Sequence, residues 1–328
     1  MNPLSNPDRA GSGIITESTV EVDTDGVDSL WSDEASVYTT SIASVHEWKF
    51  GRRYSPGSYQ YPNDEPEQAR LNICHDAFYY LLQDRHFLAP INPDGMRILD
   101  IGTGTGVWPI EMGNEHPSSQ IIGIDLSPIQ PQWAPPNVEF IMEDVEDDWT
   151  ETQPFDYIHC RYMASSISDW PRLVQRCYEH LKPGGWVEFL ETIPFPYSED
   201  GSLEPTHKFV ELMRLLSDAC NHVGRPLDPG PSLRGWLQDA GFTSIQPRRV
   251  KCPIGTWPKE KRLKEAGLLI ALNLIEGVDA FTAAPFREVM DWPPDEITAF
   301  NEAVRRDLRQ RSVHALVDIM VVTAQKPE

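Results

Sequence analysis

The sequence predicts an α/β fold with helices on both faces of a mostly parallel sheet, and three stretches carry that expectation. The first is Arg97-Ile98-Leu99-Asp100-Ile101, a short apolar run that reads as a buried strand. It ends in the glycine turn Gly102-Thr103-Gly104-Thr105-Gly106 and opens into a helix at Val107. Strand, glycine turn and helix make the opening half of a βαβ unit. The second is Ile121-Ile122-Gly123-Ile124, which ends in Asp125, nineteen residues after Gly106. The third is Val138-Glu139-Phe140-Ile141-Met142, which ends in Glu143-Asp144-Val145.

Before these strands, residues 1–45 are rich in Ser, Thr, Gly and acids, with Arg9 as the single base. Such a segment buries too little to fold alone and is expected to be a disordered, acidic arm. Its functional reading is a partner-binding arm anchored by Leu30-Trp31; the plainer one is a solvated tail. From His46 to Asn63 comes an aromatic, basic patch containing Trp48, Phe50, Arg52, Arg53, Tyr54, Tyr59 and Tyr61. Asp64-Glu65-Pro66-Glu67 then reads as an N-cap with acids in a first turn. Leu71, Cys74, Phe78, Leu81 and Leu82 place the apolar face of the helix that follows.

After the third strand, Phe155 to Cys160 reads as a fourth, with Arg161 at its carboxyl end. A helix then stops at Lys182-Pro183-Gly184-Gly185, and Trp186 to Glu191 is a fifth strand. Residues 194–228 hold a helix between proline-rich loops, an insertion placed to act as a substrate lid. The remainder reads as helix (232–240), strand (242–252), helix (259–276), helix (295–309) and a last strand (313–324).

Composition narrows the function. A formal net charge of -22 and a pI near 4.7 repel phosphate backbones and argue against direct nucleic-acid binding. The five cysteines lie far apart with no C-x-x-C pair, as expected for reduced thiols in a cytoplasmic or nuclear setting. No apolar run is expected to reach membrane length, and no signal pattern opens the chain.

The glycine spacing separates two kinds of ligand. A dinucleotide fingerprint needs Gly-x-Gly-x-x-Gly, and Val107 occupies the place of its third glycine. The alternation Gly102, Gly104, Gly106 instead lets backbone approach a ligand that brings no phosphate. Asp100 and the turn, Thr103 included, suit a zwitterionic amino-acid end, as in S-adenosylmethionine. Asp125, followed by Leu126, is placed to hold both ribose hydroxyls. Asp144 is placed to accept from an adenine amino group, with Val145 offering its N–H. Cys160 and Arg161 belong by the methionine part. Clustered carboxylates Glu143, Asp144, Glu146, Asp147 and Asp148 also raise a magnesium site; only Asp144 sits at a strand tip, so no metal is expected.

The chain resembles the class I S-adenosylmethionine-dependent methyltransferases, and its wording resembles the fungal LaeA-like family. The strings GRRYSPGSYQYPNDEPEQAR, LDIGTGTGVW, GIDLSPIQP, PPNVEF, FDYIHCR, LKPGGWVE, AGF and PIGTWPK carry the likeness, together with a terminal H-A-L and QKP. It runs from about residue 46 to residue 328. The resemblance implies a Rossmann-like, seven-stranded sheet, mostly parallel with the last strand antiparallel. It also implies a cap region (46–95) that closes over the cofactor, where Arg53, Tyr54 and Tyr61 either line the site or pack the helix onto the sheet.

Methyl transfer needs a base only when the acceptor must lose a proton. The candidates are His159 and Glu191, with His207 on the lid and His314 weaker; each has a structural reading as a packed histidine or a rim carboxylate. Arg161 either clamps an acceptor carboxylate or pairs with an acid. Three jobs fit the resemblance. The favoured one is an enzyme methylating oxygen, nitrogen or carbon of a small secondary metabolite. The second is a nuclear regulator of secondary-metabolite genes working in a protein complex. The third is a cyclase or isomerase that uses the sulfonium as a fixed charge.

Overall fold

The computed structural model describes residues 13–14, 19–21, 47–55 and 60–328. Leu30-Trp31, His46 and Tyr59 lie outside them. Seven strands form the main sheet: β1 (Arg97–Ile101), β2 (Gln120–Asp125), β3 (Val138–Met142), β4 (Phe155–Arg161), β5 (Leu181–Tyr197), β6 (Thr243–Pro253) and β7 (Leu316–Gln325). Their spatial order is β6-β7-β5-β4-β1-β2-β3, and Gly13–Ile14 adds a two-residue parallel edge beside β6. Strands β1 to β5 pair in parallel, whereas β7 inserts antiparallel between β5 and β6. Strand order reverses between β1 and β4, and in open α/β sheets the ligand crevice lies outside the carboxyl ends at such a switch.

Among the described residues seven α-helices accompany the sheet: α1 (Glu65–Leu81), α2 (Val107–Glu115), α3 (Trp170–His180), α4 (Lys208–His222), α5 (Leu233–Asp239), α6 (Lys261–Ala284) and α7 (Pro294–Leu308). Local chemistry sets their starts. Asp64 caps α1 by accepting from Glu67 N (3.2 Å), and Asp169 caps α3 by accepting from Arg172 N (2.9 Å). Pro109 is tolerated in the first turn of α2, where its missing N–H has no partner to lose.

Two apolar clusters sandwich the sheet. One joins α1, α4, α6 and α7 to side chains such as Leu190, Val250, Leu316 and Ile319. The other packs α3 and α5 against the opposite face, with Val187, Phe189 and Val322.

Three sequence expectations change. The fifth strand begins at Leu181 and runs on to Tyr197, through both the Lys182–Gly185 turn and the expected start of the insertion at Pro194. Its ladder with β4 ends at Leu190, while β7 keeps pairing it as far as Tyr197. An edge with no ladder to satisfy tolerates Pro194 and Pro196.

The segment 261–289, α6 and its π-helical end, is long and apolar enough by length and composition to cross a membrane, contrary to the expected absence of such a run. Of its 18-residue apolar window 67% is buried within the fold, and α6 packs on α1 and α7, which is the behaviour of a core helix. Finally, within the expected arm, Val20 joins the core at 7% exposure and its N–H donates to Glu199 Oε2 (3.2 Å). Lys259 Nζ meets Glu21 Oε2 at 3.0 Å. At these residues the chain docks on the domain instead of being solvated.

Candidate active site

At the switch between β1 and β4 lies a cavity of about 390 Å³. Its floor is the glycine turn. Gly102, Gly104 and Gly106 sit at φ +66°, +58° and +79°, the left-handed region that favours glycine. Their surroundings differ. A Cβ at Gly102 would strike Met163 Sδ (2.1 Å), and one at Gly106 the Phe140 ring (2.5 Å). At Gly104 it would meet Leu71 Cδ1 at 3.7 Å and otherwise project into open space.

The loop is held from several sides. Thr103 Oγ1 donates to Asp100 Oδ2 (2.7 Å), Gly104 N donates to Asp125 Oδ2 (2.7 Å), and Gln130 Nε2 donates to Gly104 O (2.6 Å). From above, Thr105 Oγ1 donates to Asn72 on α1 (2.7 Å). Asp125 also accepts from Ser127 N (2.8 Å) at its other oxygen, and burial pushes its carboxyl up to about 6 against the pull of these N–H groups.

The tips of β2 and β3 meet over this floor. Asp125, Leu126, Glu143, Asp144 and Val145 line the same cavity as Asp100, Gly102, Thr103 and Gly104. Asp125 and Asp144 therefore share one cleft with Gly104, whose cradle a methyl group would begin to fill. This donor set fits an adenosyl group ending in an amino acid: acids for hydroxyls and amines, bare backbone where the ligand lies closest. Arg161 lines the cavity too, its guanidinium over the Phe78 ring at 5.4 Å and its Nη2 donating to His75 Nδ1 (2.9 Å). One face of α1 closes the roof through Glu67, Arg70, Leu71, Cys74, His75 and Phe78.

Several sequence candidates stand elsewhere. His159 is fully buried (1% exposed), off the cavity, with Nδ1 on Asp100 Oδ1 (2.7 Å) and its ring stacked on Trp108 at 4.1 Å. Burial lowers its pKa, although Asp100 raises it. It positions Asp100 and cannot reach an acceptor. Glu191 is also fully buried and accepts from Met163 N (2.8 Å) and Ala164 N (3.0 Å), so it fixes the turn after β4 rather than the cleft rim. Cys160 alternates to the opposite sheet face and is buried in the α3 side of the core. Gly106 is the N-cap of α2, packed against Phe140, and does not line the cavity.

Arg53 is spent on Asn63 (3.0 Å) and Glu65 (3.0 Å), and Tyr54 is buried at 2%. His207 caps α4, with Nε2 3.9 Å from Asp307 Oδ2. None of these three lines the cavity, whereas Tyr61 does. His314 pairs with Asp200. In the acidic run, Glu146 accepts from Ser168 N (2.8 Å), Asp169 N (3.1 Å) and Arg225 Nη1 (2.9 Å) and serves as a loop clamp.

Among the described residues, His75, His86 and Glu111 bring three metal-ligand atoms within 4.8 Å of one another. Arg161 donates to His75 Nδ1, which leaves the proton on Nε2, the atom facing Glu111 at 2.7 Å. A cation there would have to displace that proton.

Sequence reasoning missed the far half of the cavity. Phe209 and Met213 from α4, Ile270, Asn273 and Phe281 from α6, and Ile319 from β7 line it, as does Tyr162 just beyond β4. Apolar lining and apolar core share one periodicity, so nothing in the sequence separates them.

A methyltransferase-domain family matches residues 73–246. The chain is 50% identical over 312 residues to "Methyltransferase pytC" of Aspergillus terreus, covering 94% of this chain and 96% of that one. It is 37% identical over 288 residues to "Secondary metabolism regulator LAE1" of Cochliobolus heterostrophus, covering 86% and 93%. It is 32% identical over 275 residues to "Protein-methionine methyltransferase laeA" of Emericella nidulans, covering 83% and 73%. With a strand-tip cleft that suits S-adenosylmethionine and these relatives over most of its length, the chain belongs to the S-adenosylmethionine-dependent methyltransferases, in their LaeA-like fungal group.

Proposed function

We propose that the chain transfers a methyl group from S-adenosylmethionine to a small molecule of fungal secondary metabolism. The observation that supports this most is the gathering of Asp125, Asp144 and the Gly104 cradle around one cavity that continues into an apolar chamber. In this reading Asp125 holds the ribose hydroxyls, and Asp144 with the Val145 N–H reads the adenine edge. Leu126, 41% exposed, covers the base. The backbone at Gly102 and Gly104 and the Arg161 guanidinium take the amino-acid end, with Asp100 and Thr103 fixing the loop.

When bound, the cofactor supplies an electrophilic methyl on a sulfonium. The residues around it align that methyl with an acceptor atom and keep water out, and proximity of this kind supplies most of the rate. Among the described residues the one histidine on the cavity wall, His75, has both ring nitrogens engaged, by Arg161 and Glu111. No general base is assigned to the chain.

The test is comparative metabolite mass spectrometry of the producing fungus with and without the gene, alongside calorimetry of the purified protein with the cofactor. One unmethylated intermediate accumulating, with cofactor binding in vitro, supports the enzyme. Failure to bind the cofactor overturns it.

A second reading starts from the relatives named as secondary metabolism regulators: the chain would act as a nuclear regulator of secondary-metabolite genes in a protein complex, with its acidic arm capturing the partner. Because Val20 is part of the core, its test exchanges the arm acids Asp23, Asp25, Asp28, Asp33 and Glu34 for amides instead of deleting the arm. Loss of partner capture with methyl transfer intact supports this reading.

A further inference from the structure

The chamber beyond the strand tips is walled by Phe78, Phe209, Met213, Ile254, Ile270 and Phe281. The polar groups among these walls are mostly closed on one another. Arg70 Nε and Nη2 donate to the two oxygens of Glu67 (3.0 and 2.5 Å), so the buried cation is already neutralised. Its Nη1 donates to Asn273 Oδ1 (2.6 Å). Tyr61 reaches Ser165 Oγ (2.7 Å), and Ser165 donates in turn to Ala164 O, which makes Tyr61 the donor of the first bond.

Tyr162 differs. Its ring packs edge-on against Phe78 (5.7 Å) on the chamber wall, and Asn273, its carbonyl oxygen spent on Arg70, has only amide N–H groups left to offer a hydroxyl oxygen. The tyrosine's own hydrogen is then left to be donated. Burial pushes this hydroxyl up to about 12, which keeps it a donor and not a base at neutral pH. The backbone of Tyr162 sits at φ +61°, with its N–H on Leu190 O (2.9 Å). A bulky residue adopts that conformation only where its surroundings impose it.

We propose that Tyr162 anchors the methyl acceptor by donating a hydrogen bond, and that the acceptor is an uncharged, largely apolar ring compound presenting a carbonyl or hydroxyl oxygen. This rests on the methyl-transfer reading above. An acceptor bearing a carboxylate would bury its charge in the chamber without a partner, because Glu67 already satisfies Arg70, Glu146 holds Arg225 (2.9 Å), and Arg161 is assigned above to the amino-acid end of the cofactor.

The experiment titrates the protein, saturated with S-adenosylhomocysteine, with 2-naphthol, naphthalene and 2-naphthoate. The expected result is 2-naphthol binding at least about tenfold tighter than 2-naphthoate. Tyr162→Phe should weaken 2-naphthol about three- to tenfold, leave naphthalene unchanged and keep S-adenosylhomocysteine affinity.

Equal binding of 2-naphthoate, no 2-naphthol binding, or an unaffected Tyr162→Phe would each overturn the anchor. Failure of the wild-type protein to bind S-adenosylhomocysteine overturns the donor site instead, and the same 2-naphthol titration on the free protein still decides Tyr162.

Discussion

Asp100 and His159 stand opposite each other on the parallel strands β1 and β4 and are joined through Oδ1 and Nδ1 at 2.7 Å. Burial disfavours the imidazolium, so the neutral ring donates from Nδ1 and fixes the carboxylate that also accepts from Thr103. The pair is a brace beneath the glycine turn.

Removing that brace has a stability signature. Because the folded-state pKa of His159 is lowered from 6.5, the unfolded chain takes up a proton below 6.5 that the folded chain refuses. Stability is therefore lost as pH falls below 6.5. His159→Asn should cost about 1–3 kcal/mol at pH 8 and flatten the loss between pH 6.5 and 5. Denaturant melts across pH measure both; an unchanged slope would show that the imidazole is protonated in the fold.

Asp125 links pH to ligand affinity. Its carboxyl, pushed up to about 6, loses acceptor capacity as pH falls through that value. S-adenosylhomocysteine affinity should fall below pH 6 in the wild-type protein. Asp125→Asn should cost about 1.5–3 kcal/mol at pH 8 and remove that pH dependence. Calorimetry at pH 5, 6 and 8 reads both effects.

Glu191 shows the opposite sign from His159. Burial raises its carboxyl from 4.5 to about 8 in the folded state. Its contribution is fully present below 4.5 and is lost as pH rises through about 8. Glu191→Gln should flatten the fall in thermal stability between pH 4.5 and 8. It also costs about 1–3 kcal/mol at pH 6, since an amide cannot accept equally from Met163 N and Ala164 N. The pH dependence of kcat should not move, because Glu191 does not line the cavity.

The glycines of the turn separate binding from folding. Gly104→Ala should cost about 1–2 kcal/mol of stability from its φ of +58° and reduce S-adenosylhomocysteine affinity, because the new methyl enters the cradle. Gly106→Ala drives a methyl to 2.5 Å from the Phe140 ring, so stability should fall with affinity following only through misfolding. Thermal melts and calorimetry on the two variants tell these apart.

The strand-tip half of the cavity was legible because its lining residues sit at the ends of strands. A short apolar run followed by an acid places Asp125 and Asp144 almost by counting. What lies within a strand was less legible: His159 and Cys160 look alike in sequence, yet one braces a neighbour and the other enters the core. Glu67 reads only as a first-turn acid of α1 and Arg70 carries no reading, yet one turn apart they are a buried ion pair. Asn273 and Phe281 are far away in the chain from every motif and reach the cavity only through the packing of α6 against α1. The fold class needed only the order of runs and turns, whereas the length of β5 depended on a partner strand more than a hundred residues later.

Helix α6 is at once a wall of the acceptor chamber and part of the main apolar cluster, with Ile270 and Phe281 counted in both. Diversification of acceptor range in this lineage is thus coupled to foldability. A substitution that reshapes the chamber from α6 also repacks the scaffold, and Phe209 and Met213 on α4 belong to the same cluster, so a new specificity from either helix must arrive together with compensating changes in its packing partners.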